Sequence, residues 1–517
     1  MSTSSTSSTS FDNPSTWSKA RDWLETCVKN HTDCTKSDVG SFLPRRLIDV
    51  GSADCVLRPR LCLSENLPAT TSYLTLSHCW GSEVPGILST GLLPLYLTSI
   101  LTDTIPEKFV QAMECTRKLG YRYIWIDCLC ILQDSPDDWA EQSAEMDKVY
   151  ENSVCNIAAN NSDSWRTPLF LGRDPSVGNL TVLALPGRVV PDNMEYFVCL
   201  PRMWRRNFSD SPLFQRAWVV QELALSPRSL HFCTGQMWWD CKTHTVCESE
   251  SWYGLRRVDD IWQSLSPRLK LSESSNKSRV WERIVCRYTA AQLTYECKDK
   301  LVALSALARR MGEATDYLAG LWKWDLPRAL LWHIESHDQT PLASGAPSWS
   351  WASVKGRMPP SLHRRPYKYN AKVLSASTDK TSEDPFGTVS GGEIVLEGLF
   401  VHESRPDELC RRGQHQTVSW EPLSDEYQFV IGGSTNHGPW GLILRPTGDK
   451  GQFTRVGVYY RTLVHPPART GGWNRNDYDK QFNEYAARCH AFVQTCDPNL
   501  YLRKSDRYPG YVVISIV

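Results

Sequence analysis

Between Thr71 and Asn160 apolar strand-like runs alternate with helix-like segments, and this alternation constrains the fold more than any other feature. TSYLTLSHCWG (Thr71–Gly81) reads as a strand ending in a turn glycine. IPEKFVQAMECTRKLG (Ile105–Gly120) reads as an amphipathic helix, opened by Pro106 and closed by Gly120. YRYIWIDCLCILQD (Tyr121–Asp134) is near-continuously apolar, as a central parallel strand should be. SPDDWAEQSAEMDKVYENS follows as a helix with Ser135 or Asp137 as N-cap, and VCNIAAN (Val154–Asn160) as a third strand. Such a series predicts a parallel sheet with helices on both faces. Ligands of such sheets bind at strand C-terminal ends where the winding direction changes. Here those ends carry Ser77, His78, Cys79 and Asp127.

Around this core, the Ser/Thr tract of residues 1–16 reads as disordered, and LPRRLIDV (Leu43–Val50) as a further strand. Residues 161–210 read as an insertion with a hairpin. LFQRAWVVQELALSPR (Leu213–Arg228) then reads as a buried helix, and RSLHFC and QMWWDC as a β-hairpin about Thr234-Gly235. The expected domains are an α/β domain over 17–250, a helical region over 251–345 and an all-β domain over 346–517.

The 517 residues exceed one ordinary core. Lys+Arg and Asp+Glu both number 57, so the basic excess of a nucleic-acid-binding chain is missing. No apolar run reaches the ~20 residues of a membrane helix. Many of the 18 cysteines sit in apolar runs, as reduced core thiols do. These features predict a soluble, cytoplasmic chain with neither nucleic acid nor membrane as partner.

Three separated blocks carry a family resemblance: YLTLSHCWG (Tyr73–Gly81), Tyr123–Ala159, and FQRAWVVQELALSPR (Phe214–Arg228). Together they resemble the fungal heterokaryon-incompatibility (HET) domain. CVKNHTDC, YECKDKLVALSALA, YLAGLWKWDL and APSWSWASVKG resemble segments that flank that domain. The resemblance is weakest in the Ser/Thr start and beyond about residue 400. It implies a role in non-self recognition and regulated cell death. The HET domain also resembles TIR domains, whose sheet is flavodoxin-like. Some TIR domains cleave NAD between nicotinamide and ribose with a Glu four residues after a Trp on a helix. Trp218 and Glu222 have that spacing. The insertion before Leu213 and the first block depart from the TIR pattern.

The resemblance makes Glu222 the candidate catalytic carboxylate beside Trp218; with the strand-end residues Ser77, His78 and Asp127, and with Trp80, Arg216 and Gln221, Trp218 is a candidate substrate contact. On a 3.6-residue helix Glu222 lies near Trp218 and Gln215, while Arg216 and Gln221 point elsewhere. Glu222 is either a carboxylate facing a cleft, able to stabilise an oxocarbenium-like ribose, or a structural group bonded to Arg216, Arg228 or a backbone N–H to lock the helix. Ser77-His78-Cys79 has the wrong geometry for a proton relay, so Ser77 reads as a hydrogen-bond donor. Asp127 suits a ligand or magnesium contact, or it caps the next loop by accepting backbone N–H bonds. Cys27-x3-His31-x2-Cys34, with Cys55 and Cys62 beyond, could supply zinc ligands. The spacing is not a standard knuckle, so no metal is assigned and the thiols are read as docking on the core. The WW, WKW and WSW clusters read as inter-domain packing.

Three functions remain open: a cell-death effector that hydrolyses NAD or a related nucleotide, a non-catalytic scaffold acting through self-association or a protein partner, and a small-molecule enzyme of a biosynthetic pathway. No cofactor is expected, with NAD entering only as a substrate.

Overall fold

The computed structural model describes residues 13–34, 42–52, 58–81, 83–172, 205–243, 245–248, 277–335, 341–359, 368–402, 415–419, 427–434, 437–461 and 475–517. The Ser/Thr start up to residue 12, Cys55 and most of the expected 161–210 hairpin lie outside them. The chain forms two compact units, Met1–Glu273 and Ser274–Val517. The first is mixed α/β with a parallel-containing sheet; the second carries a C-terminal β-sheet domain.

In the first unit, helix α1 (Pro14–Asn30) precedes β1 (Arg46–Asp49), β2 (Arg60–Leu63) and β3 (Tyr73–Ser77). Helices α2 (Leu93–Thr98) and α3 (Glu107–Lys118) lead to β4 (Tyr123–Trp125). Helices α4 (Asp127–Cys130), α5 (Pro136–Ala144) and α6 (Met146–Asn152) lead to β5 (Asn156–Ala158). Helix α7 (Ala217–Leu225) leads to β6 (Arg228–Phe232), β7 (Met237–Cys241) and β8 (Thr245–Cys247). The sheet order is β2-β1-β4-β3-β5-β6-β7-β8. Its four central strands are parallel, with Thr75 opposite Trp125 and Ser77 opposite Ala158. From β3 the chain crosses to β4 on one side and then returns past β3 to β5 on the other. The winding therefore reverses between β3 and β5.

Four differences from the sequence reading have physical causes. The sheet is not purely parallel, because β1, β2, β7 and β8 extend it with antiparallel pairs. The strand expected over Tyr121–Asp134 stops at Trp125, where Asp127 accepts the Cys128 backbone N–H (2.7 Å) and opens a helical turn. The helix expected after Ser135 breaks at Glu145 into α5 and α6, with Ser135 as the N-cap of α5. A buried ion pair ties α5 to the sheet: Arg46 bonds both Asp138 carboxylate oxygens and the Cys130 carbonyl (2.7 Å). Last, the C-terminal region is not all-β.

The second unit opens with helices α8 (Lys277–Thr289), α9 (Glu296–Asp299) and α10 (Val302–Met311) and a short hairpin of β9 (Tyr317–Leu318) and β10 (Leu321–Trp322). A nine-stranded sheet follows, built from β11 (Lys368–Tyr369), β12 (Lys372–Lys380), β13 (Val389–Val401), β14 (His415–Ser419), β15 (Tyr427–Ser434), β16 (His437–Pro446), β17 (Gln452–Arg461), β18 (Arg503–Lys504) and β19 (Tyr511–Ile516). Before β18 comes a 21-residue helix, α11 (Arg475–Thr495). Its Phe482, Tyr485, Cys489 and Phe492 recur at helical spacing and pack on Leu399, Val401 and Val430. Of the WKW and WSW tryptophans, Trp322, Trp349 and Trp351 are buried inside this unit while Trp324 stays exposed: Trp281 lies edge-on to Trp322 (5.6 Å), and the Trp332 indole donates to the Trp349 carbonyl (2.8 Å). Among the described residues no helix is long and apolar enough to cross a membrane.

Candidate functional site

Glu222 lies on α7, a helix whose residues are all buried except Trp218. Val219 and Leu223 pack on Cys79 and Ala158, which seats the helix on the C-terminal ends of β3 and β5. Ser226 caps the helix by donating to the Glu222 carbonyl (2.7 Å), and Pro227 stops it. Glu222 is 3% exposed, and its carboxylate accepts a hydrogen bond from the Ser77 hydroxyl.

The Ser77 bond is the end of a directed chain. Thr75 donates to Asn156 Oδ1 (3.0 Å), Asn156 Nδ2 donates to Ser77 Oγ (3.0 Å), and Ser77 donates to Glu222. Ser77 and Asn156 are fixed by the β3–β5 pairing, at the winding reversal. Burial raises the pKa of Glu222; Arg216, Ser77 and Tyr150 partly offset that by favouring the charged form. Among the described residues Glu222 has no ion pair. Arg228 is engaged elsewhere, with Cys27 Sγ and the carbonyls of Val154 and Cys34. Arg216 donates to the His78 carbonyl. The structure therefore gives Glu222 a hydroxyl partner rather than an arginine.

A second layer surrounds His78, which is 1% exposed. Its ring meets Phe109 edge-on (4.9 Å), and its Nε2 lies 3.7 Å from Asp127 Oδ1 and 3.4 Å from Cys128 Sγ. Burial lowers its pKa to about 3, so the ring is neutral at pH 7. Asp127 accepts from the Trp80 indole (2.7 Å) and from the Cys128 N–H. His78, Asp127 and Cys128 hold three donor atoms close enough for a metal, but both Asp127 oxygens already accept hydrogen bonds. Lys108 donates to the Cys79 carbonyl (2.9 Å); burial lowers its pKa to about 8. Two cations, Arg216 and Lys108, thus converge on the carbonyls of His78 and Cys79, just after β3.

The structure brings together Ser77, His78, Trp80, Asp127, Arg216 and Glu222 from the sequence reading. It does not tie in Gln221, whose Oε1 is buried without a hydrogen-bond partner among the described residues. Trp218 stays half-buried with no ring contact among them. Sequence reasoning missed Lys108, Asn156 and Tyr150. The second unit holds a small pocket of about 60 Å³ lined in part by Trp281, Trp332, Trp351 and Trp440. Its Arg328 is paired with Asp325 (2.6 Å) and Glu282 (3.2 Å).

Searches of curated proteins and of solved structures found no match. Residues 73–222 match the family model described as Heterokaryon incompatibility protein (HET). The match begins at the first residue of β3, ends at Glu222 and encloses the whole Ser77–Asn156–Glu222 chain. Residues 73–222 of this chain are a heterokaryon-incompatibility (HET) domain.

Proposed function

We propose that this chain acts in fungal non-self recognition and regulated cell death, and that Glu222 is the reactive carboxylate of its HET domain. In this reading it cleaves NAD or a related nucleotide at the bond between ribose and base. One observation carries it: a buried carboxylate at the winding reversal of a parallel sheet, hydrogen-bonded by a serine hydroxyl and, among the described residues, ion-paired with no arginine. Taken by themselves, the parallel strands run second, first, third, fourth, which is the start of the flavodoxin-like order and agrees with a TIR-like domain.

Loss of nicotinamide leaves oxocarbenium character on the ribose. The Glu222 carboxylate would stabilise that charge, and Ser77 would orient the carboxylate. Arg216 and Lys108 would face the pyrophosphate, with Trp80 and Trp218 forming the half-buried rim. Water then adds to the ribose, giving ADP-ribose and a proton. Self-association or a protein partner would open the closed site in the cytoplasm.

A second reading, a non-catalytic interaction scaffold, is favoured by the exclusion of solvent from Ser77, His78 and Glu222, each at most 3% exposed. Chromatography of NAD incubated with the purified chain over a range of protein concentrations separates the two. Equimolar nicotinamide and ADP-ribose support catalysis. Intact NAD at every concentration, with folded protein, supports the scaffold.

A further inference from the structure

At the other end of the same sheet, four side chains converge that the HET match does not include. Cys27 lies in the last turns of α1, and His31 caps that helix by donating its N–H to the Cys27 carbonyl (3.2 Å). A single helical turn, Thr32–Cys34, follows, with the Cys34 N–H bonded to the His31 carbonyl (3.0 Å). These bonds fold Cys27, His31 and Cys34 back toward one point. The fourth side chain arrives from the end of β7, where Cys241 stands opposite Arg228 of β6. Three Sγ atoms and one imidazole nitrogen all lie within 4.8 Å of one another, and Cys241 Sγ is 3.5 Å from His31 Nδ1.

We propose that Cys27, His31, Cys34 and Cys241 bind a structural zinc ion. Zinc prefers four sulfur and nitrogen ligands at tetrahedral corners. Bonds of about 2.3 Å to sulfur and 2.0 Å to nitrogen place neighbouring donors about 3.5–3.8 Å apart, which the cluster can reach with small side-chain adjustments. A donor set rich in soft sulfur selects zinc over magnesium, calcium or manganese. Four protein ligands leave no open position, so the site holds structure and carries no reaction.

An independent observation concerns charge. Arg228 is 6% exposed, and its guanidinium donates to Cys27 Sγ (3.1 Å) and to the carbonyls of Cys34 (3.1 Å) and Val154 (3.2 Å). Among the described residues it pairs with no carboxylate. A buried cation facing three neutral thiols would be uncompensated and costly. Zinc binding releases the three thiol protons to solvent, leaving a centre of net charge −1. Arg228 then neutralises that centre and donates to one of its thiolates, the outer partner such sites use. The ion would pin α1 to the β6–β7 hairpin and so fasten a segment outside residues 73–222 to the HET domain's sheet.

Elemental analysis of the full chain, purified without metal-affinity steps or chelators, tests this. About one zinc per chain is expected. Cys34→Ser and Cys241→Ser should each lose most of it. Cys62→Ser should keep it, because the Cys62 thiol donates to the Leu47 carbonyl instead. Should the cluster variants fail to fold, chelation of the wild-type chain gives a second readout: its melting temperature should fall and recover when zinc is restored. Metal-free wild-type protein that also fails to bind added zinc would overturn the proposal. So would full zinc retention in Cys241→Ser, or a disulfide among the three cysteines in freshly purified protein.

Discussion

Glu222 and Lys108 show how burial sets the chemistry of single residues. Each is a charged group inside the fold, and each has its pKa moved toward the neutral form. For Lys108 the value is about 8, so its ammonium is mostly present at neutral pH and is lost above that value. If Lys108 faces the pyrophosphate, NAD affinity measured by calorimetry should fall several-fold between about pH 7 and pH 9. Lys108→Arg should flatten that dependence, since a guanidinium stays charged throughout. An unchanged pH profile in the wild type would remove Lys108 from the binding site. The sequence hides Lys108 because a charged residue in a first helical turn resembles a solvated one. Its register with Ala112, Cys115 and Leu119, all buried, is the one sign that it faces inward.

Helix α5 illustrates the element scale. It is held to β1 by the Arg46–Asp138 pair, whose side chains are 2% and 5% exposed. Burial alone would raise the pKa of Asp138, but Arg46 and the Leu132 N–H (2.8 Å) bring it below the ordinary value. A depressed folded pKa adds stability above the unfolded value of about 3.9 and loses it as pH falls through the folded one. Asp138→Ala should cost about 3–5 kcal/mol at neutral pH, because it leaves Arg46 buried without its partner. The deficit should shrink in acid, as denaturant titrations at several pH values would show. A loss that stays constant down to about pH 2 would contradict this account.

The central strands and the Glu222 helix were legible as apolar runs, α5 from its Ser135 N-cap, and Glu222 as a carboxylate that such a helix should not bury. The strand order was not, because it depends on which runs pair across the sheet. Asn156 was hidden as one polar residue in an apolar strand. Cys241 lies too far along the chain for any spacing rule to join it to Cys27.

At the scale of the whole molecule, the two units have separate cores. Calorimetry should therefore resolve two transitions, each moved by substitutions in its own unit. Gly320 offers a probe of the second. It has φ +93°, and a Cβ there would come within 2.7 Å of the Trp351 ring, while its carbonyl accepts the Trp281 and Trp351 indoles. Gly320→Ala should lower that transition by about 1–3 kcal/mol and leave the first in place. A single transition moved equally by Gly320→Ala and Asp138→Ala would show one cooperative fold instead.

The central claim, that Glu222 is held for function, is tested on the full chain by Glu222→Gln. A carboxyl group whose folded pKa is raised contributes stability below its unfolded value and loses it as pH rises through the folded one. The amide carries no charge to bury. At neutral pH the variant should therefore melt at or above the wild-type temperature while releasing no nicotinamide from NAD. A melting temperature several degrees lower, or nicotinamide release equal to the wild type, would contradict the claim.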